Sequence, residues 1–265
     1  MTSQASIFTP LRGLQRWALA WVTSWWRLLH FTVMVLSVAL APSSYGRASR
    51  PMLARHIVLG TGPHLAWFTV LSALISLVII RIVVVTSSSY GLSRYALEMV
   101  VRVLVLELIP LTAALFVALR STLPAGVEFA QLRAAATDRT ALDGMAGLRR
   151  EFFPRVAAGM FAVWLLAAVS CVLTLVLAYL SIYGFTPWAL AGYTRVVGQV
   201  FNPAVTLILL LKIVFFSFAV GVIPMASSFH VRELRAHHLF GLSDMVRMFS
   251  VLLLIETASL VGNYY

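Results

Sequence analysis

An all-helical integral membrane protein is what this sequence predicts, and three observations predict it. Of the residues, 61% are hydrophobic and 11% charged, with a mean hydropathy of +0.93. A soluble domain would carry about 25% charged residues. Several apolar runs are long enough to cross a roughly 30 Å hydrocarbon core at about 1.5 Å rise per residue. The basic residues behind a formal net charge of +11 sit in the short links between those runs, so membrane topology explains them and nucleic acid is not an expected partner. A chain of 265 residues spent this way leaves no room for a separate soluble domain, and 1–265 reads as one membrane domain.

Residues 1–13 are polar and turn-rich, with Pro10 and Gly13. In the segment 14–41, Leu14, Trp17, Trp21, Trp25 and Leu28 fall on one helical stripe, with Arg16, Thr23, Arg27 and His30 opposite. Tryptophan favours headgroup depth and arginine an anionic leaflet, so an amphipathic helix lying in the membrane plane is expected there. The apolar stretch 28–41 is too short to span comfortably. Ala39-Leu40-Ala41 has the spacing of a signal-peptide cleavage site, but the leader would be unusually long and rich in tryptophan.

Five spans follow, at about 64–86, 96–119, 156–182, 203–227 and 245–261. An odd number puts the two ends on opposite sides. Arg12, Arg16, Arg27, Arg47, Arg50 and Arg55 precede the first span, and Arg120, Arg133, Arg139, Arg149, Arg150 and Arg155 lie between the second and third. The opposite links offer only Arg94 and Arg195, so the N-terminus is expected in the cytoplasm and Asn263-Tyr264-Tyr265 outside. The link 121–151 is the sizeable polar segment, and within it 129–135 looks helical, with Pro124 and Gly126 as breakers ahead of it. A short helix held under the membrane offers a docking surface for a soluble partner; a solvated loop is the plain alternative.

The second span is the unusual one. It holds Glu98, Arg102 and Glu107, and an ionisable group near mid-bilayer costs at least about 2.5 kcal/mol unless paired or wet. Pro110 follows Glu107 by three residues, removing a backbone donor and predicting a kink beside the carboxylate. Arg81, Lys212 and Glu256 are the other charges inside spans, with Arg247 near a boundary. Two readings remain open. One is neutralisation, Lys212 with Glu107 or Glu256 and Arg102 with Glu98 one turn away. The other makes Glu107 the polar patch of an apolar cavity suited to an amphiphile with a charged head.

Enzyme signatures are missing. There is no G-x-x-x-x-G-K-[ST] to cradle nucleotide phosphates, no G-x-S-x-G and no H-E-x-x-H. His237-His238 is the one histidine pair, but adjacent residues point apart on a helix, so no metal and no cofactor are expected. Cys171 is the single cysteine and cannot form an intrachain disulfide. Transport is the chemistry left.

The runs L-E-L-I-P-L-T-A-A-L-F-V-A-L-R from Leu106, G-V-E-F-A-Q-L-R-A from Gly126, L-R-R-E-F-F-P-R-V-A-A-G from Leu148 and L-L-L-K-I-V-F-F-S-F-A-V from Leu209 together resemble the MlaE/YrbE family of ABC-transporter permeases. The resemblance covers the chain from about Tyr90 onward. It implies a non-enzymatic permease in the bacterial inner membrane, driven by a separate cytoplasmic ATPase subunit. Such a permease pairs with a second permease copy, as homodimer or heterodimer, and passes phospholipid or a related lipid to or from a periplasmic MCE-domain protein. On matching positions it implies a lipid site at Tyr90, Glu107 and Leu108, and an ATPase-coupling helix at Glu128, Phe129, Gln131, Leu132, Arg133 and Ala135. The chain departs from the family pattern at Leu106, where arginine is common, at Ala118–Leu123, where glycines are expected, and at Ala136-Thr137. An ion-coupled secondary transporter of an amphiphile and a non-transporting membrane scaffold are the alternatives.

Overall fold

A computed structural model describes residues 23, 25–26, 28–38, 50–135, 151–230 and 237–264, with side chains at all of these except 50, 132–135, 227–230, 237–241 and 264. The tryptophan stripe before Trp25 and the link 136–150 lie outside the described residues. Five helices are long and apolar enough to cross a membrane, together with one shorter apolar helix ahead of them.

The short helix α1, Leu28–Val38, buries Phe31, Val35 and Val38 against Phe129, Phe152 and Val156. The first spanning helix, α2, covers Arg50–Ser89 and is 40 residues long. At 1.5 Å per residue that is about 60 Å, twice a hydrocarbon core, so α2 outruns the expected span at its Arg50 end. Gly60, Gly62 and Pro63 do not stop it, because tertiary packing overrides weak local propensity. A Cβ at Gly60 would rest in ordinary contact with Ala158 of the helix alongside. Gly91, at φ +70°, turns the chain.

The second spanning helix, α3, runs over 96–135 in alternating registers. It is α-helical at Ala96–Val100, π-helical at Val101–Leu108, α-helical at Ile109–Val117, π-helical at Ala118–Thr122 and α-helical at Leu123–Ala135. Pro124 and Gly126, expected as breakers, lie inside the last segment. A proline within a helix lacks its N–H and clashes with the carbonyl four residues back. Both prolines of α3 directly follow a π segment, where the preceding N–H reaches one residue further: Ile109 to the Leu104 carbonyl, Leu123 to that of Ala118. The wider turn gives each ring room. The helical form expected for 129–135 holds, but as the continuation of the span.

Helix α4, Phe153–Tyr183, packs along α2 and ends at Gly184, whose φ is +67°. The buried hydroxyls of Ser76 and Thr174 bond at 2.9 Å between these two helices. A short helix α5, Leu190–Val200, leads to α6, Pro203–His230. Asn202 caps α6 by accepting the Val205 N–H at 2.8 Å, with proline at the first helical position. Helix α7, His237–Tyr264, buries one narrow stripe, Asp244, Met248, Leu252, Glu256 and Ser259, at three- to four-residue spacing. The core where α3, α4, α6 and α7 meet is built from Ala113, Val117, Leu166, Phe216, Val220 and Leu252.

Candidate functional site

Pro110 starts the site. Without an N–H it leaves the Leu106 carbonyl, four residues earlier, without its α-helical donor. Lys212, reaching across from α6, donates to that carbonyl at 3.1 Å. The neighbouring Val105 carbonyl receives the Cys171 thiol of α4 at 3.7 Å. An oily environment supplies no water to such groups, so protein donors must.

The same ammonium is the centre of an ion cluster. Lys212 is 2% exposed, bonds Glu107 Oε2 and lies 2.8 Å from Glu256 Oε2. The Glu256 contact is an ion pair without hydrogen-bond alignment. Glu107 Oε1 accepts from Asn263 Nδ2 at 3.1 Å, and the Phe216 ring lies 5.8 Å from the ammonium. Two carboxylates and one lysine thus tie α3, α6 and α7 together. Neutralisation, one of the two readings of the sequence, is what the geometry shows for these groups. Arg102 likewise meets Glu98 at 3.0 Å, one turn away on a half-exposed face. Arg81 is exposed on α2, and Arg247 approaches Asp244 at 3.9 Å.

Leu108 follows Glu107 but faces the other way. With Phe68, Ser72, Ile75, Leu104 and Thr112 it lines an apolar cavity of about 180 Å³ between α2 and α3. Tyr90 lies in the turn after α2, 77% exposed, and lines neither this cavity nor the second one described below. The three residues expected at a lipid site are therefore placed separately: Glu107 in the ion cluster, Leu108 in the apolar cavity, Tyr90 on the surface.

At the other end of α3 the expected docking residues divide by direction. Glu128 and Gln131 are exposed. Phe129 is 6% exposed, its ring edge-on to Phe152 at 4.7 Å and under the Arg155 guanidinium at 4.5 Å. Arg155 is held in turn by Glu151 Oε2 at 2.9 Å. Leu132, Arg133 and Ala135 continue the helix; their side chains lie outside the described residues. A second cavity, about 390 Å³ and half-open, sits here among His56, Ser121, Glu128 and Arg155.

Asn263 and the bridging role of Lys212 were not read from the sequence. Charge bias alone puts Asn263 in an outer tail, whereas Glu256, Ser259 and Asn263 share a helical stripe that brings it to the same face. Among the described residues no group of histidine, cysteine and carboxylate side chains is arranged to hold a metal.

Residues 53–256 match the family model described as Permease MlaE. No curated protein sequence matches the chain. The matched region begins at the start of α2 and closes at Glu256, and so contains Glu107, Lys212 and Glu256, both cavities and the α3 extension, while Asn263 lies beyond it.

Proposed function

This chain belongs to the MlaE permease family, whose members are non-catalytic transmembrane subunits of lipid-transporting ABC systems, and from that premise we propose that it moves phospholipid or a related lipid between the bacterial inner membrane and a periplasmic MCE-domain partner. The family match, which runs from α2 into α7, is the observation that carries the reading. A separate cytoplasmic ATPase supplies the energy, and a second permease copy, identical or paralogous, completes the pathway. The N-terminus lies in the cytoplasm and the C-terminus in the periplasm.

Leu108 and its apolar cavity take an acyl chain, Tyr90 meets the lipid near the outer mouth, and Glu107 sets the polarity of the wall. Since Glu107 is bound by Lys212 and Asn263, it acts on lipid only when ATP-driven movement of α3 loosens that cluster. The outward Gln131, with Leu132, Arg133 and Ala135, seats in the ATPase, and Glu128, nearest the membrane, borders that seat. Phe129 fastens the helix from inside. Because α3 is continuous from the cluster to Ala135, a push on this end is transmitted along one rod.

Lipid extraction from the purified chain tests this. We expect copurifying phospholipid, reduced at least several-fold by Leu108→Trp, which fills the cavity. Purified protein free of lipid, or Leu108→Trp retaining the wild-type amount, would refute the site. The ion cluster supports a second reading, a proton-coupled carrier, and uptake driven by a pH gradient in vesicles without any ATPase would establish it.

A further inference from the structure

The two cavities lie along the groove between α2 and α3, the second floored by Ala158 and Gly159 of α4 and by Gly221 and Met225 of α6. On α2, the apolar cavity takes Phe68, Ser72, Ile75 and Ile79 and the half-open cavity takes His56, Leu59 and Gly60. On α3 the same order runs in reverse, Leu104 to Phe116 for the first and Ser121 to Phe129 for the second. Between them stands an aromatic plug. The Phe116 ring is 4.8 Å from that of Phe68 and 6.2 Å, near edge-on, from that of His64. Gly60 and Phe68, the facing edges, are about 12 Å apart along the helix, less than the roughly 15 Å half-core that one acyl chain covers.

The chemistry of the two chambers differs as the two parts of a phospholipid differ. The apolar chamber is walled mainly by leucine, isoleucine and phenylalanine, with Ser72, Ser76 and Thr112 among them. The half-open one offers both signs of charge: the Arg155 guanidinium, fixed by Glu151 and by the Phe129 face, and the Glu128 carboxylate, which makes no ion pair among the described residues. Guanidinium suits a phosphate and carboxylate an ammonium. We propose that the α2–α3 seam is a lipid admission site at the coupling-helix end: a zwitterionic phosphate–ammonium headgroup rests between Arg155 and Glu128, and a chain passes the Phe116 plug into the apolar cavity. This rests on the lipid-transport reading and adds to it a second place where lipid is held, a headgroup preference and a gate.

The full-length chain in vesicles of phosphatidylethanolamine mixed equally with phosphatidylglycerol, extracted and read by native mass spectrometry, tests the proposal. The wild type should retain the ethanolamine lipid about fivefold over the glycerol lipid, the factor one partly exposed ion pair supplies. Glu128→Gln should abolish the preference by lowering retention of the ethanolamine lipid toward that of the glycerol lipid, and Arg155→Gln should lower retention of both. Phe116→Ala should speed exchange of bound for added lipid several-fold, with Phe116→Leu as the milder variant should the first misfold. Lipid retained through Leu108 without headgroup preference, and unmoved by Glu128→Gln or Phe116→Leu, overturns the seam proposal and leaves the transport reading standing. Absence of any bound lipid in the wild type overturns both.

Discussion

Pro110 and Pro124 interrupt the same helix, each after a π segment, yet the chain completes the two breaks by different means. At Pro110 the freed Leu106 carbonyl is met by a lysine that also holds two carboxylates from neighbouring helices. Among the described residues no ion cluster gathers at Pro124. There the helix is pressed against its neighbour through a missing side chain: a Cβ at Gly126 would come within 3.0 Å of the Pro224 side chain and carbonyl. The difference follows depth. In the apolar middle of the bundle an unsatisfied carbonyl costs several kcal/mol and only a protein donor can answer it. The carbonyl four residues before Pro124 belongs to Arg120, an exposed residue, so water can reach it and the helix needs only close packing to hold its place.

The largest effect should come from breaking the first of these. Lys212→Leu removes the donor to Leu106 and leaves Glu107 and Glu256 facing each other without a cation. Truncating one partner of a buried charged pair costs about 3–5 kcal/mol. We expect Lys212→Leu to lose most of its folded yield in detergent, followed by thermal unfolding. Glu256→Gln is the control, since it leaves one carboxylate on one ammonium; its unfolding midpoint should stay near wild type. If both variants unfolded alike, the cluster would be acting by shape and not by charge.

How much of this could be read beforehand varies with the range of the interaction. The spans were legible because about twenty apolar residues in a row have few other uses, and the Arg102–Glu98 pair was legible because its four-residue spacing is local. Lys212 was expected to neutralise a carboxylate; that it takes two carboxylates and a carbonyl depends on how α3, α6 and α7 meet, which no local pattern states. The π segments were invisible for the same reason, since they answer prolines whose surroundings come from distant helices. Gly126 reads locally as a breaker, yet it lies inside a helix. Its use is to admit Pro224, 98 positions away, and a glycine in a sequence does not announce which neighbour it admits.

The second prediction concerns that contact. Alanine at 126 gains about 1 kcal/mol of helix propensity over glycine, which offsets part of the crowding against Pro224, so it is a poor probe. Gly126→Val adds two methyl groups where one carbon already touches backbone and gains less propensity. Overpacking of this kind costs about 1–3 kcal/mol. The expected result is an unfolding midpoint lowered by less than Lys212→Leu lowers it. Copurification of the ATPase should fall too, because the displaced part of α3 carries Glu128 and Gln131.

The smallest effect sharpens the comparison most. Val105 is the other carbonyl beside Pro110, and its donor is the Cys171 thiol at 3.7 Å, a weak bond at the edge of what sulfur can make. Cys171→Val removes the donor and adds about one methyl group at a half-buried position, a change that where the site can give costs below about 1.5 kcal/mol. If the break at Pro110 is held by the ammonium, then Cys171→Val should shift the unfolding midpoint hardly at all, and Cys171→Ser, with a stronger donor on a shorter arm, should do no better than valine. A Cys171→Val protein as unstable as Lys212→Leu would mean that the freed carbonyls outweigh the ion pairs, and the depth argument separating the two prolines would have to be rebuilt around the backbone.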